Sequence, residues 1–83
     1  MYKHMTNLRR IRLKKELTQL ELATLTNIKL STLQKLDKGS NNINKASVDT
    51  VLALAKVLDC SIEDLLETED ETDSKATGKA INQ

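Results

Sequence analysis

The sequence predicts an all-α fold of five short helices followed by a disordered tail, and three observations lead to this prediction. The apolar residues are mainly Leu, Ile, Val and Ala, with one Tyr and no Phe, Trp or Pro among 83 residues. Apolar side chains recur at helical spacing in several separate stretches. Ser, Thr, Asn or Gly stands where many of these stretches begin or end, as helix caps do. A chain of this length forms one small domain with limited apolar area to bury, which favours dimerisation.

The net charge of +1 conceals two halves of opposite charge. Residues 1–45 contain ten Lys and Arg residues against three acidic residues, a net charge of +7. Residues 46–83 contain three Lys residues against nine acidic residues, a net charge of −6. The basic half is therefore the candidate surface for binding a polyanion.

Other classes of function find little support in the residues. One His, one Cys and no acidic pair with a basic partner offer no nucleophile or metal-binding arrangement, so we expect neither an enzyme nor a cofactor. Cys60 is expected to be a small buried side chain, and its isolation fits a reducing cytoplasm. The first residues lack the apolar segment of a signal peptide, and no run approaches the roughly 20 residues that span a bilayer. Neither membrane association nor a small-molecule site is predicted.

Residues 1–6 are expected to form a flexible arm before helix 1, which is predicted over Asn7–Leu17. Leu8 and Ile11 lie three residues apart and are expected to face the core. The basic residues of this helix form either a solvated surface or, in part, a contact with a phosphate backbone. The stronger candidates for phosphate contact are Arg9 and Arg10.

Helix 2 has a clear beginning. Thr18 can cap it, and Glu21 three residues later completes a capping box. Leu22 and Ala23 are expected to be buried. Asn27 tolerates a left-handed conformation, so the helix is predicted to end there.

Helix 3 is predicted over Leu30–Lys38, with Gly39 as the residue that ends it. Its inner side is expected to carry Leu33 and Leu36, with Ile28 of the preceding turn also inward. Opposite them, a polar stripe has spacing i, i+3, i+4 and i+7, and its members are Ser31, Gln34, Lys35 and Lys38. Such a stripe is most often only solvated, but side chains of these types also bind base edges and phosphates. A capped helix and a tight turn before it favour the DNA interpretation.

A polar loop follows helix 3, and Ile43 is expected to tuck against the core and fix it. The loop is either a plain surface loop or a phosphate-binding one. The side chains suited to phosphate contact are Asn41, Asn42, Asn44 and Lys45.

Helix 4 is predicted from the Ser47 cap to about Leu58, as a core helix. Its expected core residues are Val48, Val51, Leu52, Ala55 and Leu58. Ser61 and Asp64 form a weaker cap for helix 5, which is predicted to end near Glu67. Residues 68–83 contain one large apolar residue and several acids, which predicts a disordered acidic and polar tail.

The stretch Thr18–Gly39 resembles the helix-turn-helix of the Cro/C1-type family, the phage-repressor-like or XRE-like DNA-binding domains. The resemblance covers roughly Leu8–Leu66 and needs no gap between residues 18 and 39. It is carried by Ile11-Arg12, Leu17-Thr18-Gln19, Leu22-Ala23, Ile28, Leu33, Leu36-Asp37-Lys38-Gly39, Ala55, Leu58 and Ser61-Ile62-Glu63-Asp64-Leu65-Leu66. It implies a lambda-repressor-like domain over residues 7–67 that binds double-stranded DNA sequence-specifically. A small transcriptional repressor or regulator, acting as a homodimer in the cytoplasm and associated with the nucleoid, is the function it implies.

The resemblance also implies roles for individual residues. Helix 3 would enter the major groove, with base-facing positions at Leu30, Ser31, Gln34 and Lys35. Gln19 would contact the backbone or an adjacent base from the start of helix 2. Further phosphate contacts are expected from Lys29 and Lys38, alongside the arginines of helix 1 and the loop residues named above. Arg12 and Asp37 match an ion pair between helices 1 and 3, and the shorter Asp side chain predicts a longer or water-bridged pair.

Several leucines leave an alternative open. Leu13, Leu20, Leu25 and Leu30 are expected to be more exposed than the family pattern requires. The same fold would then serve as a protein-interaction module, antitoxin-like or adaptor-like. Leu30 could instead contact a thymine methyl group. Lys29 stands where Ser or Thr normally caps helix 3, which predicts a weaker cap and an added positive charge near the phosphates.

Overall fold

A computed structural model describes residues 5–67, which form α-helices, one short 3₁₀ helix and no strand. The all-α prediction is confirmed. The elements are α1 (Asn7–Lys14), α2 (Gln19–Thr26), α3 (Leu30–Lys38), the 3₁₀ helix (Ile43–Lys45), α4 (Val48–Leu58) and α5 (Ile62–Leu65). Most of the predicted arm and the whole predicted tail, residues 1–4 and 68–83, lie outside the described residues.

The core joins all five α-helices through leucine side chains. α2 contacts both α3 and α4, while α1 contacts α3 and α5, and α5 also contacts α4. The fully buried leucines are Leu8, Leu22, Leu33, Leu54, Leu58 and Leu65. Burying a leucine contributes about 1.5–3 kcal/mol, so this aliphatic core can hold a small domain without aromatic residues. The pair α2–α3 is therefore supported from behind by α1 and α4.

Side-chain caps define where most of the described helices begin. Thr18 and Glu21 form the predicted capping box, with the Glu21 amide donating to Thr18 Oγ1 and the Thr18 amide donating to Glu21 Oε1. Ser61 and Asp64 form a second capping box at α5. The N-cap residue of α3 is Lys29, whose side chain makes no capping hydrogen bond. The weaker cap predicted for α3 is thus confirmed.

Two residues with positive φ fix the ends of α2 and α3. Asn27 has φ 61° and Gly39 has φ 94°, as the sequence predicts. A Cβ atom on Gly39 would lie 3.1 Å from the Thr6 methyl group. Gly39 therefore combines a left-handed backbone with a close approach that any larger residue would strain.

Helix α1 ends at Lys14, three residues before the predicted Leu17. Glu16 has φ 59°, which no continuing helix allows. The turn lets the Arg12 Nη1 atom donate to the Leu17 carbonyl at 2.8 Å, and the Leu17 amide donates to the Arg12 carbonyl. The turn after α1 thus supplies a hydrogen-bond acceptor, the Leu17 carbonyl, to the buried Arg12 side chain.

The buried side of α4 differs from the predicted one. Val48 and Leu52 were expected in the core but are 72% and 41% exposed. Leu54, which the prediction omitted, is fully buried. The core stripe is Val51, Leu54, Ala55 and Leu58, at spacing i, i+3, i+4 and i+7. The sequence alone offered two overlapping apolar stripes on this helix, and contact with α2 and α5 selects one.

Two predicted boundaries are also wrong. Thr6 was assigned to the flexible arm, but it is buried and caps α1. Its hydroxyl donates to the Asp37 carbonyl at 2.7 Å and accepts from the Arg9 amide at 3.0 Å. α5 ends at Leu65 and not near Glu67, because Leu66 takes an extended conformation. The extended segment after α5 contacts α1 and the α3–α4 loop.

Candidate nucleic-acid interface

The polar stripe of α3 is exposed along its whole length. Ser31, Gln34, Lys35 and Lys38 are all exposed, whereas Leu33, Leu36 and Asp37 of the same helix are buried. Within residues 5–67, none of the four exposed side chains has a hydrogen-bond or ion-pair partner. Two of them are lysines, so this surface presents donors and positive charge to the solvent.

Leu30 differs from the other predicted base-facing residues. Its side chain is half-buried and packs against the core. The expectation that Leu30 belongs with the exposed leucines is wrong, because the first turn of α3 rests on the hydrophobic core. The exposure expected for Leu13, Leu20 and Leu25 is confirmed.

On the buried side of α3, the Asp37 carboxylate accepts hydrogen bonds from side chains of two other helices. Arg12 binds both carboxylate oxygens, with Nε 2.8 Å from Oδ1 and Nη2 3.1 Å from Oδ2. The expected longer or water-bridged pair is wrong: the contact is direct, and the Asp37 side chain has no exposed surface. Arg9 Nε and Gln19 Nε2 also donate to Oδ2, at 2.9 Å and 3.0 Å. We call these four residues the Asp37 cluster.

The pKa of Asp37 follows from this arrangement. Burial by itself would raise it, but the hydrogen bonds from Arg12, Gln19 and Arg9, with the charge of Arg12, lower it below the ordinary 3.8. The carboxylate therefore stays ionised in the folded protein at any pH near neutral. The cluster holds α1, the start of α2 and the end of α3 in one fixed arrangement.

The predicted phosphate-binding residues outside α3 have different surroundings. Arg9 and Gln19 lie together in the Asp37 cluster, and Lys29 is exposed just before α3. Arg10 is exposed and donates from Nη2 to the Asn7 side chain at 2.8 Å. The structure thus brings two of these residues together and leaves the others at separate positions.

The α3–α4 loop is more ordered than its sequence indicates. Ile43 is buried, as predicted, and Asn42 Oδ1 accepts from the Asn44 amide to start the 3₁₀ helix. Asn41 and Lys45 are exposed and help line an open groove of about 480 Å³ between α3 and the start of α4. The groove is polar on the loop side, and α3 contributes Thr32 and Leu36 to its lining.

Asn44 has a partner within the protein that the sequence did not predict. Its Nδ2 atom donates to the Glu67 carbonyl at 2.6 Å, and its Oδ1 atom accepts from the Glu67 amide at 2.8 Å. Asn7 holds the same segment from α1, because its Nδ2 atom donates to the Leu66 carbonyl at 2.8 Å. The side-chain amide of Asn44 therefore connects the loop to the segment after α5.

Comparison with known families decides what kind of domain this is. Residues 7–71 match the family model of the Cro/C1-type HTH DNA-binding domain, which is more than half of the chain. The chain belongs to this family. The family assignment made from the residues is thereby confirmed.

A solved structure of related sequence has the same fold. The chain is 32% identical to the restriction-modification controller protein C.AhdI from Aeromonas hydrophila, with a TM-score of 0.63. The match covers 72% of this chain and 86% of that protein. A search of the curated proteins gave no significant match.

Three further features of this Cro/C1-type domain concern other chemistry. Within residues 5–67, no three His, Cys, Asp or Glu side chains come together as a metal site would require. None of the described helices is long and apolar enough to cross a membrane. Cys60 is half-buried, and burial, followed by the charge of Asp64, raises the pKa of its thiol.

Thr6 and Asn7 are the residues near this site that sequence analysis missed. Both act through side-chain contacts with segments more than 30 residues away. A Thr-Asn pair before an apolar helix does signal an N-cap. Nothing in the sequence, however, indicates which distant carbonyl groups these side chains reach.

Proposed function

We propose that the protein is a sequence-specific double-stranded DNA-binding regulator that places α3 in the major groove. The observation that carries this proposal is the α3 stripe: four exposed polar side chains without partners in the described chain, on a helix whose opposite side is buried. Membership of a family of DNA-binding domains supports it, and so does the similarity to a controller protein. Regulation of transcription by repression is the simplest outcome, because a bound domain blocks access to its site.

In this proposal the roles divide by position. Ser31, Gln34 and Lys35 contact base edges, and Leu30, held against the core, contributes at most the edge of its side chain. Lys38, Lys29 and the exposed loop residues Asn41, Asn42 and Lys45 contact phosphates. These contacts fix the position of α3, while the base contacts select the sequence.

A homodimer completes the proposed function, because one such helix covers only a few base pairs. Two related half-sites would then lie about 34 Å apart along the duplex. We propose that α5 and neighbouring apolar side chains form the contact between copies. Val48 and Leu52 support this, since they are exposed on α4, and Leu52 lines the same groove as Ile62 of α5.

The alternative is a protein-interaction module on the same fold. Its support is the exposure of Leu13, Leu20 and Leu25, which neither the core nor the α3 stripe uses. NMR titration of the isotope-labelled protein with mixed-sequence duplex DNA separates the two functions. Changes in the amide chemical shifts of α3 at low salt support DNA binding. Changes elsewhere, or no changes, favour the alternative.

Selection of bound sequences from a random duplex pool tests sequence specificity directly. We expect an enriched motif with two-fold symmetry. Lys35→Ala should weaken binding to that motif and reduce its preference over random DNA. An unchanged preference in the variant would remove Lys35 from the proposed base-contacting set.

A further inference from the structure

We propose that Arg9 and Gln19 form a two-donor site for a single phosphate of the DNA backbone, and that buried Asp37 positions both donors. The inference rests on the proposed function, since the ligand is a phosphodiester group of the bound duplex. It assigns Asp37 a task in binding in addition to its task in the fold.

The first argument concerns charge balance beneath α3. Arg12 balances the charge of Asp37, because it binds both carboxylate oxygens and is itself buried. Arg9 and Gln19 add two more hydrogen bonds to an oxygen that already has a charged partner. Their presence on Oδ2 is therefore not needed to neutralise the buried carboxylate.

The second argument concerns the donors that remain. Arg9 uses only Nε in the cluster, so both of its terminal nitrogens are without partners within residues 5–67. Gln19 uses one N–H of its amide group and keeps the other. The two terminal nitrogens of a guanidinium match two phosphate oxygens, and a carboxylate that holds Nε sets the direction of that fork.

The third argument concerns where the excess charge lies. The cluster contains two guanidinium groups and one carboxylate, which leaves one positive charge. The Arg12 side chain is 9% exposed and that of Asp37 is 0% exposed, whereas the Arg9 side chain is 37% exposed. The surplus charge is thus at the surface, while the negative charge is out of reach of a phosphate. Gln19 is the first residue of α2, where the helix dipole also favours an anion.

Binding of a mixed-sequence duplex of about two helical turns, measured by fluorescence anisotropy over a range of salt concentrations, tests the site. Arg9→Ala should weaken binding about tenfold and reduce the slope of log K against log salt by about one. Lys14→Ala is the matched control, because Lys14 is an exposed cation on the same helix outside the cluster. We expect a clearly smaller loss for this control.

Gln19→Ala removes a donor without changing the charge. We expect about a threefold loss of affinity with an unchanged salt slope. If the two side chains hold one phosphate, the double variant Arg9→Ala/Gln19→Ala should lose less than the product of the single losses. Strictly multiplicative losses would mean two independent contacts and would overturn the shared site.

Asp37 variants test positioning against simple electrostatics. Asp37→Asn removes one negative charge and so raises the net charge by one. Coulomb attraction alone then predicts tighter binding, whereas loss of positioning predicts weaker binding. Circular dichroism shows whether the variant is folded. Asp37→Glu keeps the charge but moves the oxygens by one methylene, and it should be folded and bind more weakly than the wild type.

The outcomes separate this inference from the proposed function. If the wild type binds the duplex but Arg9→Ala loses no more than Lys14→Ala, the two-donor site is wrong and the DNA-binding function stands. If a folded Asp37→Asn binds more tightly, the positioning role is wrong. If the wild type fails to bind any duplex at low salt, the proposed function fails and the site fails with it.

Discussion

The two sides of α3 differ in how completely the protein satisfies their polar groups. On the inner side, the Asp37 carboxylate accepts four hydrogen bonds from three side chains. On the outer side, the side chains of Ser31, Gln34, Lys35 and Lys38 have no partner within residues 5–67. Buried polar groups are nearly always paired, so the inner arrangement is a requirement of folding. The outer side is under no such requirement, which makes it the part of the helix available for function.

The largest expected effect is on the inner side. Asp37→Ala leaves Arg12 buried without its partner, and removing one member of a buried pair costs about 3–5 kcal/mol. We expect the free energy of unfolding, measured by urea denaturation, to fall by that amount. Asp49→Ala, which removes an exposed acid of α4, is the control and should change it far less. Equal effects would show that the Asp37 cluster does not hold the helices together.

The Asp37 cluster also predicts how stability changes with pH. Its pKa in the folded protein lies below the ordinary value of 3.8 that applies to the unfolded chain, because the hydrogen bonds outweigh the effect of burial. The stabilisation is fully present above the unfolded pKa and is lost as pH falls through the lower folded pKa. The free energy of unfolding should therefore decline from about pH 5 downward. In Asp37→Asn this part of the profile should flatten, and an unchanged profile would contradict the assignment.

Adjacent residues allow the two sides to be compared directly. Leu33→Ala, on the inner side, should lower the free energy of unfolding by about 2–5 kcal/mol without altering the selected DNA motif. Gln34→Ala, on the outer side, should change stability by less than about 0.5 kcal/mol. It should cost about 1–3 kcal/mol of discrimination at one base pair of the motif. A stable Leu33→Ala or an unstable Gln34→Ala would break the division between the sides.

The smallest effect concerns the start of α3, where the two sides meet. Lys29→Ser supplies the missing cap and should raise the free energy of unfolding by about 1 kcal/mol. Lys29→Ala removes the same charge without adding a cap and is the control. Both variants should bind DNA with a smaller salt slope, because each loses the same cation. A cap that gives no stability would show that α3 is held by its core contacts alone.

Local signals were enough to predict most of this fold. The capping box at Thr18, the left-handed Asn27 and Gly39, and the buried Leu22 and Ile43 follow from short-range patterns, and the structure contains them all. Such features depend on residues within one helical turn of each other. The family assignment succeeded for the same reason, since it rests on many local positions in a fixed order.

The errors lie where a distant partner decides the outcome. The sequence of α4 permits either Leu52 or Leu54 to face inward, and only the position of its neighbours selects Leu54. The sequence also gave no sign that the side-chain amide of Asn44, an exposed residue, binds the backbone of Glu67, 23 residues away. Arg9 and Gln19 were separate candidates in the sequence, and the fold places both on one oxygen of Asp37.

The contacts of Leu66 and Glu67 with Asn7 have a consequence for engineering. The backbone amide of Asn7 donates to the Glu67 carboxylate at 2.7 Å, so the first and last described segments of the chain lie side by side. Domains with adjacent ends tolerate circular permutation. A short glycine linker could join residue 67 to residue 5, with new ends opened in the exposed turn at Ser40–Asn41. Such a permutant would retain every described helix. Only the covalent connection between α3 and α4 would be cut.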